Sequence, residues 1–234
     1  MSTESAKRSF VRLPRERRMR EIEAAAREVF SQRGYDAASM TDIAKLAGVS
    51  EGSIYKFYTN KRDLLLTVIR TWYQRMIDEF IEKLSGVEGT RAQLQTVIWQ
   101  HLKSIKANPD LCRLFYSEVR SADDYYDSDL YRLNRDYTHV LMDIIQQGVA
   151  RGEIRADISV TLVRDMVFGG IEHRISGFLL NRGSFDQQEI ADQLCDLVMA
   201  GIATPVKSPN GLDGLVERLE RVADRLESEE GKDG

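Results

Sequence analysis

A chain of 234 residues, 42% of them hydrophobic, is long enough to bury a sizeable core in one domain or two unequal ones. Cys112 and Cys195 stand far apart without metal-ligand spacing, which argues against a disulfide framework. No apolar run approaches the ~18 residues of a membrane span. The N-terminal stretch MSTESAKRSF lacks the apolar core of a signal peptide, so a cytoplasmic protein is expected. The net charge of −4 conceals an asymmetry: residues 1–62 hold 13 Lys/Arg against 8 Asp/Glu, and the remainder holds 20 against 29. A basic module joined to an acidic body fits a nucleic-acid reader whose body stays off the phosphates.

Only four prolines and few runs of β-branched residues point to an all-α protein. Residues 1–14 are polar, with Lys7, Arg8 and Arg12, and read as a flexible basic arm. Such an arm either enters a minor groove or is simply solvated. The spacing of Met19, Ile22, Ala26, Val29 and Phe30 predicts a helix from about residue 15 to 33. Ser39 followed by Asp42 predicts the start of a second, short helix, whose Ile43, Ala44 and Ala47 share one face. Gly48 allows a sharp turn, Val49 plugs the corner, and Ser50 is placed to N-cap a third helix. That third helix carries Gly52, Ser53 and Lys56 beside the aromatic Tyr55, Phe57 and Tyr58. Two short helices about a tight turn, with small, hydroxylated and basic residues on the second, are the pattern of a helix-turn-helix.

Residues 15–65 resemble the DNA-binding module of the tetracycline-repressor (TetR) family of regulators. The matching residues are Phe30, Gly34-Tyr35, Ser39, Ile43-Ala44, Ala47-Gly48-Val49-Ser50, Gly52, Tyr55, Lys61 and Leu64. Tyr58 departs from the phenylalanine usual there, a change expected to matter little if the ring packs on Ile54. The resemblance implies a DNA surface made of Ser39, Thr41, Ser50, Glu51, Gly52, Ser53, Tyr55, Lys56, Phe57 and Lys61. Ser50 and Lys61 would meet phosphate at helix N-termini, and Phe57 a sugar or a thymine methyl. Glu51 would accept from cytosine or serve as a first-turn helix charge.

Asn60 with Asp63 starts a long helix, about 61–85, whose Leu65, Val68, Trp72, Met76 and Phe80 demand cover along its length. It is the natural lever between module and body. Further helices are expected at about 90–107, 109–120, 128–151, 159–181 and 187–203, with Asn108-Pro109 breaking the first pair. The stretch GVARGEIRAD, 148–157, resembles the family's linker before the last two helices. Beyond a linker at 205–211, Leu212, Leu215, Leu219, Val222 and Leu226 predict a short amphipathic helix. The domains are then an arm at 1–14, a helix-turn-helix domain at 15–62, a ligand-binding and dimerisation domain at 63–204, and a linker with C-terminal helix at 205–234.

No GxSxG elbow and no strand-borne glycine loop is present, so catalysis is not expected, and no cofactor is implied. His101, His139 and His173 lack ligand spacing, and SADDYYDSD lacks the glycine and terminal glutamate of a calcium loop, so no metal site is expected. The body's aromatic residues are core, part of which lines a cavity if the resemblance to an inducer-binding domain holds. The expected walls are Trp72, Met76, Trp99, Phe115, Tyr137 and Phe168. Arg120 and Arg174 would accept an anionic group on the ligand, with Arg113, His101, Asn134 and His173 as further polar candidates. The expected dimer interface joins Val163, Val167, Gly170, Ile171 and Phe178 to Leu194, Leu197 and Val198.

The expected function is a homodimeric repressor on an inverted-repeat double-stranded DNA operator, released by a small hydrophobic, acyl or aromatic-acid effector. A ligand-independent architectural or cell-division factor is the alternative.

Overall fold

The structure, a computed structural model, describes residues 15–205 together with positions 216, 219 and 221. The arm expected at 1–14 lies outside the described residues, as does nearly all of the linker and helix expected at 205–234. The described chain runs α1 (Arg15–Ala37), α2 (Met40–Ala47), α3 (Glu51–Ile54), α4 (Lys61–Leu84) and α5 (Thr90–Ala107). Then come α6 (Pro109–Leu114), a π-helical turn (Phe115–Arg120), a 3-10 turn (Tyr125–Asp127), α7 (Asp129–Ala150), α8 (Val160–Leu179) and α9 (Gln187–Ile202). Among the described residues there is no strand, only one bridge between Ile154 and Ala203.

The N-terminal module forms because short helices share one apolar centre. Ile22, Ala26 and Phe30 of α1 meet Ile43 and Ala44 of α2, Ile54 of α3, and Leu64 and Leu65 of α4, all buried. Full burial stabilises each large side chain by about 1.5–3 kcal/mol, which helices this short need. Gly34 leaves helical geometry at φ 75°, so the regular part of α1 ends at Arg33. Ser39 caps α2 by accepting from the Asp42 amide, and Gly48 ends it in the left-handed region at φ 66°.

Two local expectations fail. Ser50 stands at the start of α3 but makes no capping bond; its hydroxyl pairs with that of Ser53 at 2.8 Å. The third helix is also only one turn long, because residues 55–58 wind into turns closed on the Ile54 carbonyl by Phe57 and Tyr58.

The body is a bundle in which α5 lies centrally, packed on α4, α7 and α9, with α8 against α7. The 148–157 linker is fastened to the start of α5 and to the end of α9. Glu153 accepts from the Thr90 amide at 2.8 Å and from Arg151, bonds that hold its carboxyl down at about 2. Thr204 donates to the Glu153 carbonyl, joining the same linker to the end of α9. Helix α6 does not continue as α to residue 120. Its wider π turn brings Phe115 and Val119 inward and leaves the Glu118 carbonyl to accept from Arg62 at 3.3 Å.

Candidate functional site

The module presents Thr41, Ser50, Gly52, Tyr55 and Lys56 as exposed, with Ser39, Glu51, Ser53, Phe57 and Lys61 half-buried. Thr41 donates to Glu51 at 2.7 Å, so the starts of α2 and α3 are joined across the turn. Nothing lies within 4 Å of where a Cβ would stand on Gly52, which leaves its backbone open to close approach. Tyr55 is 49% exposed and Leu46 48%; Leu46 and the exposed Lys45 belong to the same α2–α3 surface and were missed in the sequence. Their signal was available, since both fall opposite the Ile43–Ala44 face of α2.

Two residues of the expected DNA surface are committed inward. Lys61 donates to the carbonyls of Tyr35, Asp36 and Ala38 at 2.7, 3.2 and 2.9 Å, and its ammonium lies over the Tyr35 ring. All three of its protons close the frayed end of α1. Phe57 packs against the core and under the Arg15 guanidinium, 5.6 Å from the ring centroid. The Tyr58 ring is buried against Phe57, and its hydroxyl does more than the expected packing on Ile54. It donates to Glu23 of α1 at 2.9 Å, and burial with that bond pushes the phenol up.

Behind the module, α1, α4, α5 and the start of α6 surround a hollow of about 800 Å³. Its apolar part is Val68, Trp72, Met76 and Leu111; its charged part is Arg20, Arg27, Arg75, Lys83 and Lys103 with Glu23, Glu79 and Glu82. Among the described residues Arg20 and Arg75 make no ion pair. Arg27 reaches across to Asn108, and the buried indole N–H of Trp72 has no hydrogen-bond partner among the described residues.

Of the expected ligand residues, the structure brings only Trp72 and Met76 to this hollow. Phe115, Tyr137 and Phe168 pack instead into an aromatic cluster with Tyr73, Phe80 and His101, ring centroids 4.8–5.9 Å apart. His101 shares a hydrogen bond with the Tyr137 hydroxyl, and burial lowers its imidazole to about 4. Trp99 lies under Lys103 and borders a shallow dip with Gln95, Thr96 and Gln188. Arg120 pairs with Glu172, Arg113 with Asp110, and Arg174 is exposed, so these arginines do not converge. Asn134 accepts from Tyr73, and His173 is exposed. The cations that cluster are on α1, α4 and α5, and only the packing of these helices makes them neighbours.

The expected interface also needs redrawing. Val163, Val167, Ile171 and Val198 are buried within the subunit, and Phe178 packs on Phe185. The outer surface of α8 and α9 carries Leu162, Met166, Gly169, Gly170 and Leu197, with Leu194 at its edge. Leu162, Met166 and Leu197 are 57%, 56% and 69% exposed. The difference has a simple cause: α8 is apolar on two faces, and spacing alone does not say which one the subunit itself covers.

Among the described residues no His, Cys, Asp or Glu group could hold a metal ion, and no helix is long and apolar enough to cross a membrane. In the acidic loop, Asp124 binds Arg62, and Asp129 binds Arg70 and Arg132.

Known proteins resemble this chain along most of its length. The fatty acid metabolism regulator protein of Bacillus subtilis is 27% identical over 178 residues, 76% of this chain and 92% of its own. The HTH-type transcriptional repressor KstR2 of Rhodococcus jostii is 25% identical over 194 residues, 80% and 92% of the two chains. The crystal structure of FadR from Bacillus subtilis, in complex with stearoyl-CoA, matches with a TM-score of 0.71 at 26% identity, covering 78% of this chain and 98% of that one. Residues 22–68 match the bacterial regulatory proteins of the tetR family, and residues 70–201 match the YsiA-like protein C-terminal region. A helix-turn-helix with an open reading surface, carried on a helical body matched over this length, settles the assignment: the chain belongs to the tetR family of bacterial regulatory proteins and is a DNA-binding transcriptional regulator.

Proposed function

We propose that this regulator is a homodimeric repressor on an inverted-repeat operator, released by a long-chain acyl thioester of the acyl-CoA class. The hollow between DNA module and body carries the effector proposal. It joins apolar Val68, Trp72, Met76 and Leu111 to a rim holding Arg20 and Arg75, neither in an ion pair among the described residues. An acyl-CoA has that division, an apolar chain on a phosphorylated nucleotide, and arginine pairs readily with phosphate. The size suits a ligand of that class in part, since pockets commonly run about 300–1,000 Å³. The relative of known structure carrying stearoyl-CoA supports the same class. Because α1 and α4 both line the hollow and pack on each other, and α1 packs on α2, a ligand there would change the angle of the module.

The dimer would form through the outer faces of α8 and α9, where Met166 and Leu197 stand exposed and Gly169 and Gly170 let two chains approach. Reading helices must then meet major grooves about 34–36 Å apart, so a modest tilt suffices for release. Thr41, Ser50, Gly52, Ser53, Tyr55 and Lys56 would face DNA, joined by Lys45.

The test is to titrate operator-bound protein with stearoyl-CoA, free CoA, aromatic acids and cationic drugs while following operator affinity. Release by stearoyl-CoA at concentrations where free CoA has no effect is expected; release only by cations would refute the proposal. In ultracentrifugation, Leu197→Arg should turn a dimer into a monomer, and a wild-type monomer would remove the operator symmetry.

The close packing of His101, Tyr137 and Phe168 favours one second reading, a ligand-independent DNA-binding factor whose aromatic body is only core. Absence of release by any compound in the panel would support it.

A further inference from the structure

One carboxylate in the wall of the hollow serves two parts of the molecule at once. Glu23 of α1 accepts from the Tyr58 hydroxyl at 2.9 Å through one oxygen and from the Thr71 hydroxyl at 3.1 Å through the other. Tyr58 is 3% exposed, and its amide donates to the Ile54 carbonyl at the end of α3, so its position follows the reading helix. Thr71 sits on α4, one turn before Arg75, and both line the hollow. On α1, Arg20 and Arg27 stand three and four residues from Glu23, which places them on the same face.

We infer that Glu23 is the positioning residue that couples an anion in the hollow to the reading helix, through its paired bonds to Tyr58 and Thr71. The inference rests on the proposed effector class and names how that site acts. With the hollow empty of anion, the carboxylate clasps α1 to the α3–α4 corner and to α4, holding the module at its DNA-competent angle. A phosphate drawn to Arg20 and Arg75 has the same sign of charge as Glu23 and arrives in its immediate surroundings. Like charges in a partly desolvated site raise the energy of both, so the carboxylate turns away from its two hydroxyls and the clasp opens. Ligand binding and DNA binding then oppose each other through a two-state element that both sites bias.

Two conservative variants separate this role from plain packing. Tyr58→Phe keeps the buried ring and removes one donor, which favours the open state without touching the hollow's cations. Its midpoint for release by stearoyl-CoA should fall about 3- to 10-fold, the loss of one charge-assisted hydrogen bond, while ligand-free operator affinity changes less. Glu23→Gln keeps partners for both hydroxyls and removes the charge. It should bind stearoyl-CoA at least as tightly as wild type yet need about 3- to 10-fold more of it for release. A merely structural role would lower thermal stability and leave both midpoints where they are, which would overturn the inference.

If stearoyl-CoA fails to release wild type, the effector class is wrong, and the clasp is tested without ligand by amide hydrogen exchange. Segments 20–27 and 68–75 should then exchange several-fold faster in Tyr58→Phe than in wild type. Unchanged exchange there would overturn the clasp itself.

Discussion

The reading surface and the hollow behind it differ in how their polar groups are occupied. On the surface, Thr41 pairs with Glu51, Ser50 with Ser53 and Arg33 with Asp42, while Lys61 is turned inward onto three carbonyls. At the hollow, Arg20 and Arg75 make no ion pair among the described residues. DNA meeting Thr41, Ser50 or Arg33 must therefore displace exposed internal bonds worth at most about 1 kcal/mol each, while an anion in the hollow displaces no ion-pair partner from those two arginines.

The strongest way to break that contrast is Lys61→Ala. With its ammonium holding the Tyr35, Asp36 and Ala38 carbonyls, the change should cost about 3 kcal/mol of module stability by thermal melting, as loss of charge-assisted bonds does. The salt dependence of operator binding should scarcely change. A slope reduced by about one at unchanged stability would return Lys61 to the phosphate contacts and make the surface less occupied than described.

The next test sharpens the other side, by asking whether the aromatic interior behind the hollow supplies charge. Burial holds His101 neutral, with its pKa lowered from 6.5 to about 4. The unfolded chain therefore binds the proton first as pH falls, so stability drops from about pH 6.5 and levels off below about pH 4. The loss should reach about 3 kcal/mol in equilibrium unfolding and be absent from His101→Gln. A pH-independent wild type across that window would mean that the imidazole takes up its proton as readily in the folded protein as in the unfolded chain.

The smallest effect belongs to the reading surface. Glu51→Ala frees Thr41 and removes a negative charge facing phosphate, which should tighten binding to non-operator DNA about 3-fold at low salt. Weaker binding would instead show Glu51 making a favourable base contact.

The same contrast explains what the sequence revealed. In the module, geometry is set within a few residues: Ser39 caps, Gly48 turns, and Ile22, Ile43 and Ile54 can face only one centre. Helix starts in the body were equally legible, because Asn60, Asn108-Pro109 and Ser128 punctuate the chain locally, whereas the end of α6 at Leu114 carried no such signal. The hollow was not legible. It needs Arg20 of α1 beside Arg75 of α4, a neighbourhood fixed by how two helices cross and invisible to periodicity. Rings on apolar stripes, such as Phe115 and Tyr137, satisfied one another instead of lining space. The role of Tyr58 was hidden for a related reason: its partner Glu23 lies 35 residues earlier.

The central claim, that an acyl thioester enters this hollow and thereby releases DNA, has a direct optical test. The chain holds two tryptophans, and Trp72 lines the hollow while Trp99 lies outside it. In a Trp99→Phe background, stearoyl-CoA should change Trp72 emission saturably, with the midpoint at which operator is released from the same protein. Replacing Arg20 and Arg75 with alanine should move both midpoints together, by about 10-fold or more, since each arginine binds phosphate through charge-assisted bonds. Operator release with Trp72 emission unchanged would place the effector elsewhere and contradict the account.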